Sequence, residues 1–207
     1  MGWGLSRLSL ADETAPAGGG RPVTRYAYKA SLIGAAHQFE LTEAGLSWRI
    51  AGRQGLWPYR DIAAVRLSFR PVSMQARRFR ADVHHTGGGR IAILSTSWQT
   101  AALMAPQDAG YRDFIVELHA RLARVARRAE LSGGLGWKTY VAALTLLALV
   151  GLAMAGLLVR SLLTREYAGA VFVAGFVALF AWQVGGFIRR NQPQTYSFDR
   201  LPPALLP

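Results

Sequence analysis

The chain has 207 residues, a net charge of +12 and no cysteine. The lack of cysteine excludes a disulfide framework, a thiolate metal site and a cysteine nucleophile. Of the 24 basic residues only Lys29 and Lys138 are lysine, an arginine skew that reflects genome composition more than arginine-specific chemistry.

Residues 1–22 contain ADETAPAGGGRP, poor in large apolar side chains and rich in Gly, Ala and Pro, and are expected to form a disordered tail. They lack the apolar h-region of a secretory signal. MGWGLS fits the loose N-myristoylation pattern, a match read as chance.

From residue 23 the apolar pattern has period two. Phe39 and Leu41, then Leu46, Trp48 and Ile50, then Val65, Leu67 and Phe69, then Phe79, Ala81 and Val83 alternate with polar residues, and residues 91–96 close the series. Such alternation predicts half-buried antiparallel strands. Glu43-Ala44-Gly45 and Thr86-Gly87-Gly88-Gly89 supply turns between them. No helix interrupts the strands, which excludes parallel βαβ order.

One helix follows. Tyr111, Phe114, Ile115, Leu118, Leu122, Val125 and Ala129 form a single apolar stripe at three- and four-residue spacing. Asp108 is placed to cap its start. Arg112, Arg124, Arg127 and Arg128 lie off the stripe and Arg121 at its edge, in favourable i, i+4 order with Glu117. The stripe is expected to cover the open end of a strand barrel, with the C-terminal half of the helix running toward the bilayer and its arginines meeting anionic lipid. Residues 132–138 then form a flexible juxtamembrane linker.

Residues 139–159 and 167–188 are two uncharged apolar stretches. As helices they measure roughly 31–33 Å, close to the ~30 Å hydrocarbon core of a bilayer. Only residues 160–166 separate them, so residues 139–190 are read as a transmembrane helical hairpin. Trp137, Tyr140, Tyr167 and Trp182 sit where interfacial aromatics belong. Small residues recur at four-residue spacing, at Gly151 and Ala155, at Ala170, Ala174 and Ala178, and at Ala181 and Gly185. Such rows allow close helix approach. The first use is the hairpin's own interface; a homodimer is the second. Arg121, Arg124, Arg127, Arg128 and Lys138 precede the first span, and Arg189 and Arg190 follow the second. Excess positive charge marks the cytoplasmic side, so both termini are expected in the cytoplasm, with residues 191–207 as a cytoplasmic tail.

Six or seven antiparallel strands closed by one helix is the order of a pleckstrin-homology-like barrel. Trp57-Pro58-Tyr59-Arg60-Asp61-Ile62-Ala63-Ala64-Val65-Arg66-Leu67 resembles the segment of bacterial PH-like domains in which a Pro-Tyr-x-x-Ile turn leads into a Val-x-Leu strand. Leu46-Ser47-Trp48-Arg49 and the helix beginning Tyr111-Arg112-Asp113-Phe114 fit the same pattern. The resemblance covers about residues 23–130 and implies an α+β chain: a PH-like antiparallel barrel over residues 23–131 with one closing C-terminal helix, then the two-helix hairpin, in a multi-pass protein of a bacterial inner membrane. The tail, from Asn191-Gln192-Pro193 to Leu205-Leu206-Pro207, resembles the ends of uncharacterised two-span bacterial membrane proteins.

PH-like domains are binding modules. The resemblance implies a membrane-anchored scaffold that recruits a protein partner or contacts anionic headgroups. The first hairpin, Lys29 to His37, has one lysine and no following basic pair, so it lacks the inositol-phosphate pattern. The candidate contacts are Arg70, Arg77, Arg78 and Arg80 between two later strands, with Arg121, Arg124, Arg127 and Arg128. No recognised nucleic-acid motif accompanies these dispersed arginines. Enzyme signatures are missing too, so no catalysis and no cofactor are expected. His84 and His85 are adjacent on a strand and face opposite ways; His85 is read as a core histidine, and His37 and His119 as isolated. A subunit of an oligomeric channel or transporter is the alternative, although the spans carry only Thr139, Thr145 and Gln183 as polar side chains besides Trp and Tyr.

Overall fold

A computed structural model describes residues 24–70, 77–100, 104–126 and 128–207. The expected N-terminal tail lies outside these residues.

Strands β1 (Thr24–Tyr28), β2 (His37–Leu41), β3 (Leu46–Ile50) and β4 (Arg53–Trp57) form one antiparallel sheet in chain order. Directly paired residues share a face, so the Tyr26, Phe39, Trp48 and Gly55 row lines the inner side. Trp48 lies across Gly55, where a Cβ would strike its indole. At the β2–β3 turn Gly45 has φ +157°, and a Cβ there would meet the Trp57 carbonyl.

The second sheet has the order β11-β10-β5-β6-β7. It contains β5 (Ile62–Phe69), β6 (Phe79–His85), β7 (Arg90–Leu94), β10 (Glu130–Gly133) and β11 (Gln194–Thr195). A two-stranded ribbon, β8 (Thr96–Trp98) with β9 (Met104–Pro106), follows β7. Helix α1 (Asp108–Val125) buries Tyr111, Phe114, Ile115, Leu118 and Leu122. These join Phe39, Leu41, Leu46, Val65, Leu67 and Ile93 in one core. The predicted stripe therefore packs as expected as far as Leu122; Val125 is exposed and Ala129 lies past the end of the helix. The predicted cap does not form: Gln107 precedes the first turn and no side chain caps it. Asp108 sits within that turn, where its charge still complements the helix dipole.

The chain is mixed α+β, but among the described residues the expected closed barrel is not found and the sheets remain separate. Where a ladder between β1 and β7 would close them, tyrosine hydroxyls substitute. Tyr26 Oη donates to the Leu94 carbonyl at 2.6 Å and Tyr28 Oη to that of Ala92 at 2.7 Å. Each satisfies an edge carbonyl while its ring fills the core.

Helices α2 (Trp137–Leu163) and α3 (Tyr167–Arg190) have mean hydropathies of 2.5 and 2.0 over their most apolar stretches and are long and apolar enough to cross a bilayer. They pack on one another. The more protected positions recur every three or four residues on α2, at Ala143, Leu147, Val150, Met154 and Leu158, and at spacings of three, seven and four on α3, at Ala170, Val173, Phe180 and Val184. This seam is built mainly of larger side chains. Of the small-residue rows only Ala170 is buried, while a Cβ on Gly151 or Gly185 would meet nothing within 4 Å. The expectation that the rows form the hairpin interface is thus corrected: apart from Ala170 and the half-buried Gly185, they face outward.

The largest departure concerns what flanks the hairpin. The expected linker begins inside β10, which runs parallel to β5 with Gly133 opposite Leu67. The expected free tail returns to the same sheet, where β11 pairs antiparallel with β10. Leu205 and Leu206 enter the core, Tyr196 and Phe198 pack against it, and Arg112 Nη1 donates to the Pro207 carbonyl at 2.9 Å. Gly134, at φ +84°, leaves room for this return, since a Cβ would collide with the Gln192 carbonyl.

Because Leu135 N–H donates to the Asn191 carbonyl at 3.0 Å, the two feet of the hairpin are adjacent. Replacing residues 137–190 by a Gly/Ser linker of about four residues, a common short-connection length, should yield a soluble folded domain, measured by circular dichroism and amide dispersion. Leu205→Ala in it should cost about 2–5 kcal/mol in denaturant unfolding. Equal stability of a fragment ending at residue 131 would show that the tail is dispensable.

Candidate functional site

The arginines singled out by sequence divide by environment. Arg121 is buried at 8% exposure. Its Nε donates to Glu117 Oε1 at 2.7 Å, and Nη1 donates to the carbonyls of Leu41 and Thr42 at 3.0 and 2.9 Å. Burial alone would lower its pKa; the bonds with Glu117 and Tyr59 reverse this and leave it raised. Arg121 fastens α1 to the β2–β3 turn, so it contributes to folding and is turned away from any headgroup.

Arg80 makes two bonds to Asp82, at 2.8 and 2.6 Å, and this pairing raises its pKa. Arg78 Nε donates to Thr96 Oγ1 at 2.9 Å and Nη2 approaches Met104 Sδ. Burial lowers its pKa. Arg70 and Arg77 are exposed. Arg127 lies outside the described residues.

The direction of β10 decides which charges lie near the apolar hairpin. It leads into α2 and runs parallel to β5, so the Phe69 end of β5 is the hairpin end. There Gly134 N–H donates to the Leu67 carbonyl at 2.8 Å, Phe69 N–H donates to Asn191 Oδ1 at 3.1 Å, and the Arg190 guanidinium lies 5.0 Å from the Phe69 ring centre. The end of α1 lies beside Ile62, at the opposite end of the strand. Seven residues at about 3.3 Å each place it roughly 23 Å along the sheet from the hairpin foot. The expectation that the C-terminal half of α1 runs toward the bilayer is therefore corrected, because β10 makes that approach. Arg70 and Arg77 border the paired Phe69–Phe79 end of β5 and β6, Arg189 and Arg190 end α3 and Lys138 opens α2, so all belong to the hairpin end. Arg66 reaches β10 there, its Nε donating to Ser132 Oγ at 3.3 Å.

At the opposite end is a cleft of about 560 Å³ lined by Arg60, Ile62, Ala63, Thr86, Arg124, Val125, Ala126, Arg128 and Ala129. Three guanidinium groups surround an aliphatic floor, and no carboxylate lines it. Among the described residues neither Arg124 nor Arg128 has an ion-pair partner; Arg60 lies a loose 3.8 Å from Asp61. Sequence reading named Arg124 and Arg128 but missed Arg60, whose place here depends on the turn before β5.

The histidines have local partners. His85 is half-buried 5.0 Å from the Trp57 ring, and its Nδ1 accepts the Gly87 N–H. His37 Nδ1 lies 3.2 Å from Tyr28 Oη. His119, expected to be isolated, is buried between α1 and the returning tail. Its Nδ1–H donates to the Ile115 carbonyl at 2.7 Å, so Nε2 accepts from Tyr196 Oη at 3.0 Å. Among the described residues no group of three or more His, Cys, Asp or Glu side chains could hold a metal. Comparison with protein families, curated proteins and solved structures finds no match to this chain.

Two predictions follow from these environments. Arg121→Met should cost about 2–4 kcal/mol, whereas Arg124→Met should change stability by less than about 0.5 kcal/mol; chemical denaturation compares them. Burial lowers the His119 pKa, and that of His37 to which the same cause applies. The unfolded state therefore binds more protons below about pH 6.5, so stability is full above that pH and falls as pH drops toward the folded pKa. Thermal melts between pH 7.5 and 5.5 should show this loss, and His119→Gln should flatten it. An unchanged slope would remove His119 as its source.

Proposed function

We propose that this chain is a membrane-anchored, cytoplasm-facing PH-like module that recruits a protein partner to the inner membrane. The carrying observation is that both feet of the apolar hairpin are hydrogen-bonded into one sheet, through Leu135, Asn191 and Phe69. An antiparallel four-strand sheet, a second sheet built on β5–β7 and a single following helix support the PH-like reading, with the sheets bridged by tyrosines. The distant cleft is then the surface offered to a partner.

A second contact is favoured at the hairpin end. Arg66, Arg70, Arg77, Lys138, Arg189 and Arg190 stand where anionic headgroups would lie, each contributing about 1 kcal/mol near such a surface. This contact steadies the anchor. A channel subunit is less well supported, since Thr145 Oγ1 donates to the Val141 carbonyl of its own helix and two spans enclose a pore only as a ring.

Reporters fused before residue 23 and after Pro207 should both read cytoplasmic, following the positive charge at both hairpin feet. A periplasmic signal at either end would overturn the orientation and the recruiting surface with it. Detergent-solubilised protein should size as a monomer or dimer; a ring of four or more would favour the channel reading.

A further inference from the structure

We propose that the cleft between the end of α1 and the start of β5 docks an acidic, partly apolar peptide segment of the recruited protein. This rests on the recruiting role above and names the chemistry of what is recruited. Arg60, Arg124 and Arg128 form its rim, and Ile62 and Val125 lie between them. Val125 is 59% exposed although it belongs to a helix whose other large aliphatics are mostly buried. A segment with carboxylates spaced around aliphatic side chains matches both features. Its carboxylates would take the guanidinium forks, and its apolar groups would cover Val125 and remove water from around the ion pairs.

The competing occupants fit less well. A small anion needs enclosing polar groups, yet all three arginines are exposed, and ion pairs in such solvated positions are weak. It would also leave the aliphatic floor wet. The headgroups of the protein's own bilayer meet the hairpin end, roughly 23 Å away along the sheet, beyond a Debye length of about 8 Å. Arginine-rich, partly apolar surfaces are characteristic of protein interfaces.

The test uses the full chain in nanodiscs of neutral lipid and a fluorescein-labelled peptide of alternating Glu and Leu, read by fluorescence anisotropy. Binding should weaken as salt rises. It should fall about tenfold or more, equivalent to ~1.4 kcal/mol per decade, when Arg124→Glu and Arg128→Glu are combined. Val125→Ser should cost roughly threefold by the loss of apolar cover, and the distant Arg49→Glu should change affinity less than about twofold. Melting temperatures of the variants establish that they are folded. Absence of peptide binding, equal binding of a Gln/Leu peptide, or unchanged binding by the folded double variant would overturn the proposal. Displacement of the peptide by inorganic phosphate at matched ionic strength would make the cleft a small-anion site, and binding of anionic vesicles through it in place of peptide would make it a lipid site; either overturns the proposal. A photo-crosslinker placed in native membranes at Val125, Arg49 or Leu56 separates the two levels. Adducts only at Arg49 or Leu56 would remove the cleft and leave recruitment standing, whereas no protein adduct at any of the three would remove both.

Discussion

One fully buried amide, Asn191, holds the chain's architecture together. Its Oδ1 accepts the Phe69 N–H, its Nδ2 donates to the Phe187 carbonyl, and its main-chain carbonyl accepts from Leu135. Strand β5, the entry to the first apolar helix and the end of the second therefore meet at one residue. A buried amide is tolerated only when its hydrogen bonds are made. Separating any of the three segments would leave polar groups unpaired in a dry place. The cost of that separation makes the hairpin a continuation of the sheet.

The staple gives the domain a defined direction. With β10 parallel to β5, every position along β5 acquires a distance from the hairpin foot, and the arginines sort accordingly. Residue type says little about their roles. Arg121 and Arg124 are one turn apart on the same helix, yet one is locked beneath the β2–β3 turn and the other is exposed at the cleft. Positive charge counted along the sequence merges a structural bolt, an internal ion pair at Arg80 and two separate surfaces.

Much of this was legible in the sequence wherever one segment carries its own signal. The alternation in β2, β3, β5 and β6, the stripe of α1 and the two apolar spans each encode burial within a short window. The returning tail has no such window. Leu205 and Leu206 lie among prolines, and their burial depends on Gly133, over seventy positions earlier, where Leu205 Cδ1 occupies the place of a Cβ. His119 looked isolated for the same reason, because Tyr196 is 77 residues away. The run of α1 toward the bilayer was misjudged because four residues, Glu130 to Gly133, have little periodicity of their own and pair in parallel with a strand some 66 positions before them. The expected α+β order of elements stands, while the expected main-chain closure between β1 and β7 is not found among the described residues, where tyrosine hydroxyls bridge the two sheets.

The rigidity of the staple also bears on what the arginines can bind. On a flexible tether the module would tumble beneath an anionic leaflet, and every exposed arginine would visit the headgroups in turn. Each would then gain about 1 kcal/mol there, and a weak acidic partner would compete against the whole membrane surface. With both feet fixed, only the charges at the hairpin end have that access. The cleft arginines are held beyond the screening length, so in the proposed role lipid would not compete for them. On the proposed function, a hairpin inserted between β10 and β11, with the tail returning to the core, would separate anchoring from recruitment in a way that a terminal anchor on a loose linker would not.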